Sequence, residues 1–535
     1  MPEPSTEAAT ALSEDSRSAF APLRRPVFRM LWITWMAANT SMWMNDVAAA
    51  WLMTSLGPSP LWVALVQSAS TLPVFMLGLP SGAFADILDR RRYFMMTQLW
   101  VAGVASIICV TVMMGWMTAS LLLALTFANG VGLAMRWPVF AAIVPELVPR
   151  SQLPAALALN GIAMNASRIV GPLVAGAIIA SAGSAWVFLL NAVLSLGAAF
   201  IIMRWRREHK ESPLGRERLA SAMRVGVQFV WQSSRMRAVL LRISLFFLHS
   251  TALLALLPLL ARALPGGGAG TFTVLLAAMG VGAILAALLI VRIRNLVPAQ
   301  MLLLGGTALQ SAGTVMAAFA PNIYLAVPGM FLAGVAWITV ANSLTVTAQM
   351  VLPDWVRARG MSIFQMAFMG ATAAGAAIWG QIATWTNIHE SLAIAAVSSV
   401  ILMALAQRLV VDRGIEEDLT PTRVFKVPHA EAPPQSGRIQ VNIEFRIDPA
   451  RSDEFLALMQ ESRRSRLRQG ALDWQLMRDL YDPGRYVEQI TDESWTEHLR
   501  RFDRVTAADV QLRDRKVAFH IGEEPPLVTR LLIER

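Results

Sequence analysis

The chain has one cysteine, Cys109, in 535 residues. A lone thiol cannot close a disulfide within one chain, and it excludes a cysteine cluster around a metal. Charge is scarce as well. Asp, Glu, Lys and Arg make up 15% of the sequence, where an ordinary soluble domain carries about a quarter. No Gly-x-x-x-x-Gly-Lys-(Ser/Thr) run is present, so no built-in nucleotide motor is expected. No His-Glu-x-x-His pair is present either, so neither a metal nor another cofactor is expected. Met1–Phe20 lack the basic-then-apolar order of a cleaved signal peptide. They read as a disordered cytoplasmic tail, with the first span as an uncleaved signal.

What the chain does have is apolar length. Hydrophobic residues are 55% of the sequence and the mean hydropathy is +0.50. Twelve long apolar runs lie between Val27 and Val411. A helix needs about 20 such residues to cross a bilayer. Runs such as Leu325–Ala341 are continuous, whereas barrel strands alternate, so the spans are expected to be helices. The formal charge of +10 does not point to nucleic acid. The C-terminal hundred or so residues are nearly neutral, so the excess belongs to the membrane part, where Lys and Arg set orientation.

The connections alternate in charge. Arg24, Arg25, Arg90–Arg92, Arg150, the cluster from Arg204 to Arg237, Arg292, Arg294, Arg357, Arg359, Arg408 and Arg413 fall on one side. The loops Gly57–Pro60, Gly115–Met117, Ala182–Ser184, Ala320–Asn322 and Trp385–His389 carry no Lys or Arg. Arg262 is the exception on that side. Positive loops stay inside, which places both termini in the cytoplasm and makes the span count even.

The expected organisation has six parts: a tail at 1–26, a six-helix bundle at 27–204, a cytoplasmic loop at 205–235, a second six-helix bundle at 236–411, a linker at 412–437, and a soluble domain at 438–535. In the loop, Leu219, Met223, Val227 and Val230 recur near helical spacing, as in an amphipathic helix on the inner leaflet. The halves look duplicated. Pro145–Arg150 is followed by the window Gly171–Gly176, and Pro353–Arg357 by the window Gly375–Gly380. In the soluble part, strand-like and helix-like runs alternate in the β-α-β-β-α-β order of a ferredoxin-like, α+β fold. Helices are expected at Ser452–Gln469 and about Ser494–Arg504.

Few residues can carry mechanism. Ionisable groups inside a span are costly, so each is a functional candidate. Asp46 lies beside Asn45 and near Asn39. It either binds and releases a proton as access alternates or is a structural carboxylate paired to a neighbouring helix. Arg168 either attracts an anionic substrate or pairs with Asp46. Arg136, just before Trp137-Pro138, is expected to snorkel to the cytoplasmic end, with a functional role as the alternative. The tryptophans read mainly as interfacial anchors.

Gly82-Ala83-Phe84-Ala85-Asp86-Ile87-Leu88-Asp89-Arg90-Arg91-Arg92 resembles the cytoplasmic signature of the major facilitator superfamily, matching it at Gly82, Asp86, Arg90 and Arg91. Ile87 and Asp89 depart from it, replacing a basic residue and a glycine. The resemblance implies a twelve-helix, six-plus-six transporter in which this loop gates alternating access. Gly171, Pro172 and Gly176 are similar to a helix-packing signature of the superfamily's exporters. Together with Pro145–Arg150, Asn160, Asn165 and Arg168, they resemble the transmembrane secretion effector type, the branch that includes siderophore (enterobactin) and macrolide exporters.

That resemblance implies a secondary transporter of the inner membrane, not an enzyme. It would couple protons to efflux of an amphiphilic small molecule. Uptake by proton symport remains the alternative, as does a tethered enzyme or sensor acting through the soluble domain. That domain carries Gly470-Ala471-Leu472-Asp473-Trp474 and Trp495-x-x-His498-Leu499. It resembles the dimeric α/β-barrel family that includes small antibiotic-biosynthesis monooxygenases. A homodimer and a regulatory or assembly role follow as expectations, with Trp474 a core residue and His498 a surface residue.

Overall fold

A computed structural model describes residues 20–57, 59–87, 89–149, 152–204, 219–409 and 436–534, with Thr422 and Pro428 besides. Residues 1–19 of the expected tail and nearly all of the expected linker lie outside the described residues. So do the side chains of Gly82, Asp86, Arg90 and Asn165. Ala21–Arg24, expected within the disordered tail, instead form a short 3-10 helix ahead of the first long helix.

Six long helices come first: α1 (Pro26–Leu56), α2 (Pro60–Ile87), α3 (Arg90–Met113), α4 (Ala119–Leu147), α5 (Leu153–Ala182) and α6 (Ser184–Arg204). A short helix, α7 (Leu219–Gln232), separates them from six more. These are α8 (Ser234–Ala263), α9 (Ala269–Leu296), α10 (Ala299–Ala318), α11 (Ile323–Val351), α12 (Asp354–Trp385) and α13 (Ile388–Leu409). Among the described residues, eleven helices are long and apolar enough to cross a membrane. The exception is α1, although it has 31 residues, and Arg29, Asn39, Asn45 and Asp46 dilute its hydropathy. Many large apolar side chains point outward, among them Leu288, Val193, Val397 and Ile107. Lipid is the solvent that such a surface fits.

The chain divides into two compact units. The first runs through Glu211 and adds Leu241–Leu344 and Gln365–Leu409. Its core joins both sets of six helices, with Met44, Val47, Ala48, Ile179, Leu256, Leu275 and Trp379 in one buried cluster. Lipid tails are as apolar as leucine, so small residues that let backbones meet hold such helices together. A Cβ on Gly171 would strike Trp43 of α1, and one on Gly176 would strike Thr273 of α9. A Cβ on Gly375 would strike the backbone of Leu248 in α8, and one on Gly380 would strike Ala64 of α2. The fifth long helix thus meets the first and the eighth, and the eleventh meets the seventh and the second. The contacts repeat with a shift of six helices.

The second unit gathers Ser212–Leu240, Thr345–Phe364 and the chain from Val410. Its C-terminal part is built from β1 (Arg438–Arg446), α14 (Ser452–Arg468), β2 (Asp473–Arg478), β3 (Arg485–Asp492), α15 (Trp495–Asp503), α16 (Ala507–Val517) and β4 (Leu527–Ile533). The sheet is antiparallel with order β2-β3-β1-β4. Ile439, Val441 and Phe445 alternate inward on β1, as do Tyr486 and Ile490 on β3, and they pack on Phe455 and Met459 of α14. Two helices stand before β4 where one was expected. The second, α16, opens with a capping box in which Thr506 and Asp509 satisfy each other's backbone groups.

The loop helix α7 corrects the expected stripe. It buries Val225, Phe229 and Val230, while Val227 and Trp231 are exposed. Its buried face meets protein. Gln228 Nε2 donates to the Ala471 carbonyl at 2.8 Å, and Arg224 Nη2 pairs with Glu493 Oε2 at 2.8 Å. Gly470 makes this approach feasible. It ends α14 at φ +108°, a left-handed conformation that glycine adopts without strain, and it lies against Val225. Phe229 meets the Trp355 ring edge-on at 5.7 Å, and Arg504 lies over the same ring at 5.3 Å.

Candidate functional site

The candidate residues of α1 do not act alike. Asn39 Nδ2 donates to the Trp35 carbonyl of its own helix at 2.9 Å. Asn45 Oδ1 accepts from Asn191 Nδ2 of α6 at 3.1 Å, and Ser195 Oγ donates to Asn191 Oδ1 at 3.3 Å. Asn45 thus joins α1 to α6, while Asn39 is tied to its own helix, and Asn39 Oδ1 and Asn45 Nδ2 are buried without partners. Asp46 also has a buried atom without a hydrogen-bond partner, its Oδ1, and it alone of the three can ionise.

Arg136 of α4 and Arg168 of α5 rest on tryptophans rather than on acids. Arg136 is only 1% exposed. Its Nη1 donates to the Ala38 carbonyl at 3.2 Å, and its guanidinium lies 5.4 Å from the Trp35 ring centre. Trp35 stacks in turn on Phe140, with ring centres 3.8 Å apart. The expectation that Arg136 snorkels is wrong, because its head group is enclosed within the helix bundle. Arg168 lies between two indoles, 5.2 Å from Trp43 of α1 and 5.0 Å from Trp337 of α11. Among the described residues no ion pair joins Arg168 to Asp46.

The seam of α1 and α5 is closely tied around Arg168. Thr40 donates to Ser167 at 3.1 Å, Ser167 donates to the Met36 carbonyl at 3.1 Å, and Trp32 donates to the Leu159 carbonyl at 3.0 Å. Gly171 lets Trp43 approach, so the packing glycine and the arginine serve one contact.

In the first turn of α3, Arg91 donates to the last carbonyls of α6, at Ile202 (3.2 Å) and Met203. A cation at a helix C-terminus is favourable with respect to the helix dipole. Asp89, which departs from the signature, caps α3 by accepting from the Arg92 amide at 2.8 Å.

Two features were not singled out from sequence. His249 is buried on α8, with Nδ1 2.7 Å from the Leu245 carbonyl and its ring beside Trp379. Gln98 of α3 is fully buried with both amide atoms unpartnered. His249 was legible as the histidine embedded in an apolar run. Gln98 had no signal of its own.

Beside its apolar core, the C-terminal domain buries a network of charged groups. Glu488 accepts from Ser462 Oγ at 2.6 Å and from Trp474 Nε1 at 2.9 Å, and it pairs with Lys516 at 3.0 Å. Burial pushes the Glu488 carboxyl up, but Lys516, Arg466 and these hydrogen bonds outweigh it and hold the group well below the usual range. His498 is buried, not at the surface as expected. Its Nδ1 lies 2.7 Å from Asp492 Oδ2, and its Nε2 accepts from Arg530 Nε of β4 at 3.1 Å. An arginine cannot accept, so this geometry is that of a neutral ring with its proton on Nδ1. Burial pulls the His498 pKa below its ordinary value, against the opposing pull of Asp492.

The sequence profile of transmembrane secretion effectors matches residues 17–535, the C-terminal domain included. The protein belongs to this family of major facilitator superfamily transporters. Such proteins move solutes and are not enzymes. Among relatives of this transporter, the uncharacterized MFS-type transporter YfiS of Bacillus subtilis is 25% identical over 65% of this chain and 84% of its own length. The staphyloferrin A transporter of Staphylococcus aureus is 24% identical over 28% of this chain, a match spanning only 38% of that protein. The putative multidrug resistance protein MdtD of Salmonella typhi is 31% identical over 28% of this chain and 31% of its own length. The fold resembles that of a bacterial homologue of the human lysosomal transporter Spinster. That match has a TM-score of 0.57 and 13% identity, and it covers 73% of this chain and 96% of the other. It also resembles the nucleoside transporter NupG, at TM-score 0.57 and 13% identity, covering 72% of this chain and all of NupG.

Proposed function

We propose that this transporter exports an amphiphilic small molecule, such as a siderophore, a macrolide or another drug-like compound, in exchange for protons. It works by alternating access between two six-helix halves of the inner membrane. In this reading α1 is the twelfth span, and both termini are cytoplasmic. The contacts that repeat with a six-helix shift support the two-half mechanism. The siderophore and multidrug names of the relatives support the substrate class. Gly82, Asp86, Arg90 and Arg91 serve as the inner gate.

Asp46 carries the proton assignment. Its buried, unpartnered Oδ1 makes a lone charge there costly, and a bound proton removes that cost. The test is the full chain in proteoliposomes with an imposed pH gradient and a panel that includes siderophores and macrolides. Gradient-dependent flux is expected, and no flux of any compound overturns the reading. Inside-out and right-side-out vesicles separate export from uptake by symport.

The C-terminal domain has a regulatory role in this reading. Its antiparallel strand order with flanking helices supports reading it as ferredoxin-like. Its interior is filled by an apolar core and the ion network around Glu488, which disfavours the enzyme alternative. Its grip on α7 and on Trp355 favours control of the cytoplasmic segments. The long exposed edge strand β4 favours pairing of two copies. Crosslinking of the full chain in membranes tests that pairing, and a purely monomeric pattern rejects it.

A further inference from the structure

We infer that Arg168 and Trp43, backed by Trp337, form the seat for a carboxylate, or a similarly flat oxyanion, on the transported molecule. The inference rests on the transport reading and gives its substrate a charge.

The argument starts from the guanidinium. It is planar, always charged, and directs its N–H donors outward in its own plane. Trp43 and Trp337 lie near it at 5.2 and 5.0 Å and supply cation–π attraction. They accept no hydrogen bonds within that plane. Arg168 Nε is buried without a partner, and so is Nε1 of the adjoining Trp43. Two neighbouring helices therefore present two unfilled donors at one place. Among the described residues no carboxylate forms an ion pair with Arg168. Buried donors in proteins are nearly always filled, and a buried charge without a counter-ion is more costly still. A ligand carboxylate supplies what is lacking: a negative charge and two acceptor oxygens that match the arginine fork.

The location fits transport. Trp43 belongs to α1 and Trp337 to α11, one from each set of six helices. An anion here adds its energy to a contact that both halves share. Asp46 is not paired with Arg168, so substrate charge and proton are handled by different residues. Loss of the arginine therefore weakens substrate binding and leaves the pH profile in place.

The test uses the purified full chain in nanodiscs, without a gradient, and three probes of one shape: naphthoate, naphthylmethanol and naphthylmethylamine. Calorimetry is expected to show naphthoate bound about tenfold more tightly than either other probe. Arg168→Lys keeps the charge but loses the fork, so it keeps only part of that preference. Arg168→Ala abolishes the preference, so that naphthoate binds no more tightly than naphthylmethanol. Equal affinities for the three probes, or no detectable binding of any, overturns the inference on the unmodified protein, whatever the variants do. Naphthoate preference without gradient-driven flux would instead reject the exporter reading and leave the anion seat standing.

Discussion

The Arg504 guanidinium lies over the indole of Trp355, 5.3 Å from the ring centre. Trp355 stands in the first turn of α12, a helix whose residues from Gln365 onward belong to the other compact unit. The C-terminal domain thereby holds the start of a long membrane helix, and through Arg224–Glu493 it holds α7 as well. The ion pair is half exposed and contributes little, about 0–1 kcal/mol. The stacked, nearly buried Arg504 contributes about 0.5–2 kcal/mol. Replacing Trp355 with leucine is expected to speed hydrogen exchange in Leu219–Gln232 by roughly twofold to thirtyfold. Transport rate is expected to change while the protein remains folded. Unchanged exchange and unchanged flux would remove the domain from any regulatory role.

The glycine contacts predict a graded steric series. Gly176→Val places a branched side chain where even a Cβ meets Thr273, and Gly380→Val does the same against Ala64. Each is expected to cost about 1–3 kcal/mol and to lower the melting temperature in detergent. Gly197 has no neighbouring atom within 4 Å of such a Cβ, so Gly197→Val is expected to be close to silent. Equal losses at all three positions would mean that helix propensity, rather than helix contact, sets the cost.

Asp46→Asn removes the ionisable group and keeps the shape. Substrate counterflow without a gradient is expected to persist, while pH-driven accumulation is lost. Full driven accumulation by this variant, measured in everted vesicles, would move the proton to another residue, with His249 the next candidate.

Much of this architecture was legible because lipid leaves strong marks on a sequence. Apolar length set the spans, and the paired glycine windows foretold contacts that repeat six helices apart. The misreadings have physical causes. The α7 stripe was misassigned because Val227 and Val230 are both apolar yet only Val230 is buried. The polar helix α16 escaped a search for apolar periodicity, since what it buries is Leu512 and the paired Lys516. Its capping box was the signal available. The seat at Arg168 was only half legible. A lone arginine in a span is conspicuous, but nothing in sequence joins positions 43, 168 and 337.

The ion network in the C-terminal domain predicts a strong asymmetry between single and double variants. Glu488→Gln leaves Lys516 buried without its counter-charge and is expected to destabilise the domain by about 3–5 kcal/mol. Glu488→Gln combined with Lys516→Met is expected to recover much of that loss. Additive losses in the double variant, read by domain melting in the full chain, would show that the two charges are not stabilised by each other.

Acid is expected to loosen β4 through His498. The folded state lowers this pKa, so over some range below the ordinary value of 6.5 the unfolded chain binds more protons than the folded one. The stability His498 contributes is therefore complete above pH 6.5 and declines as pH falls toward the folded pKa. Protonated Nε2 can no longer accept from Arg530, so the contact from β4 is lost at the same step. Hydrogen exchange at Leu527–Ile533, corrected for its intrinsic pH dependence, should rise between pH 7.5 and about pH 5.5. A glutamine at position 498 does not titrate, and His498→Gln should flatten that rise. A rise that persists in the variant would assign the effect to the buried carboxylates Glu488 and Asp492, whose lowered pKa values place their own losses at lower pH.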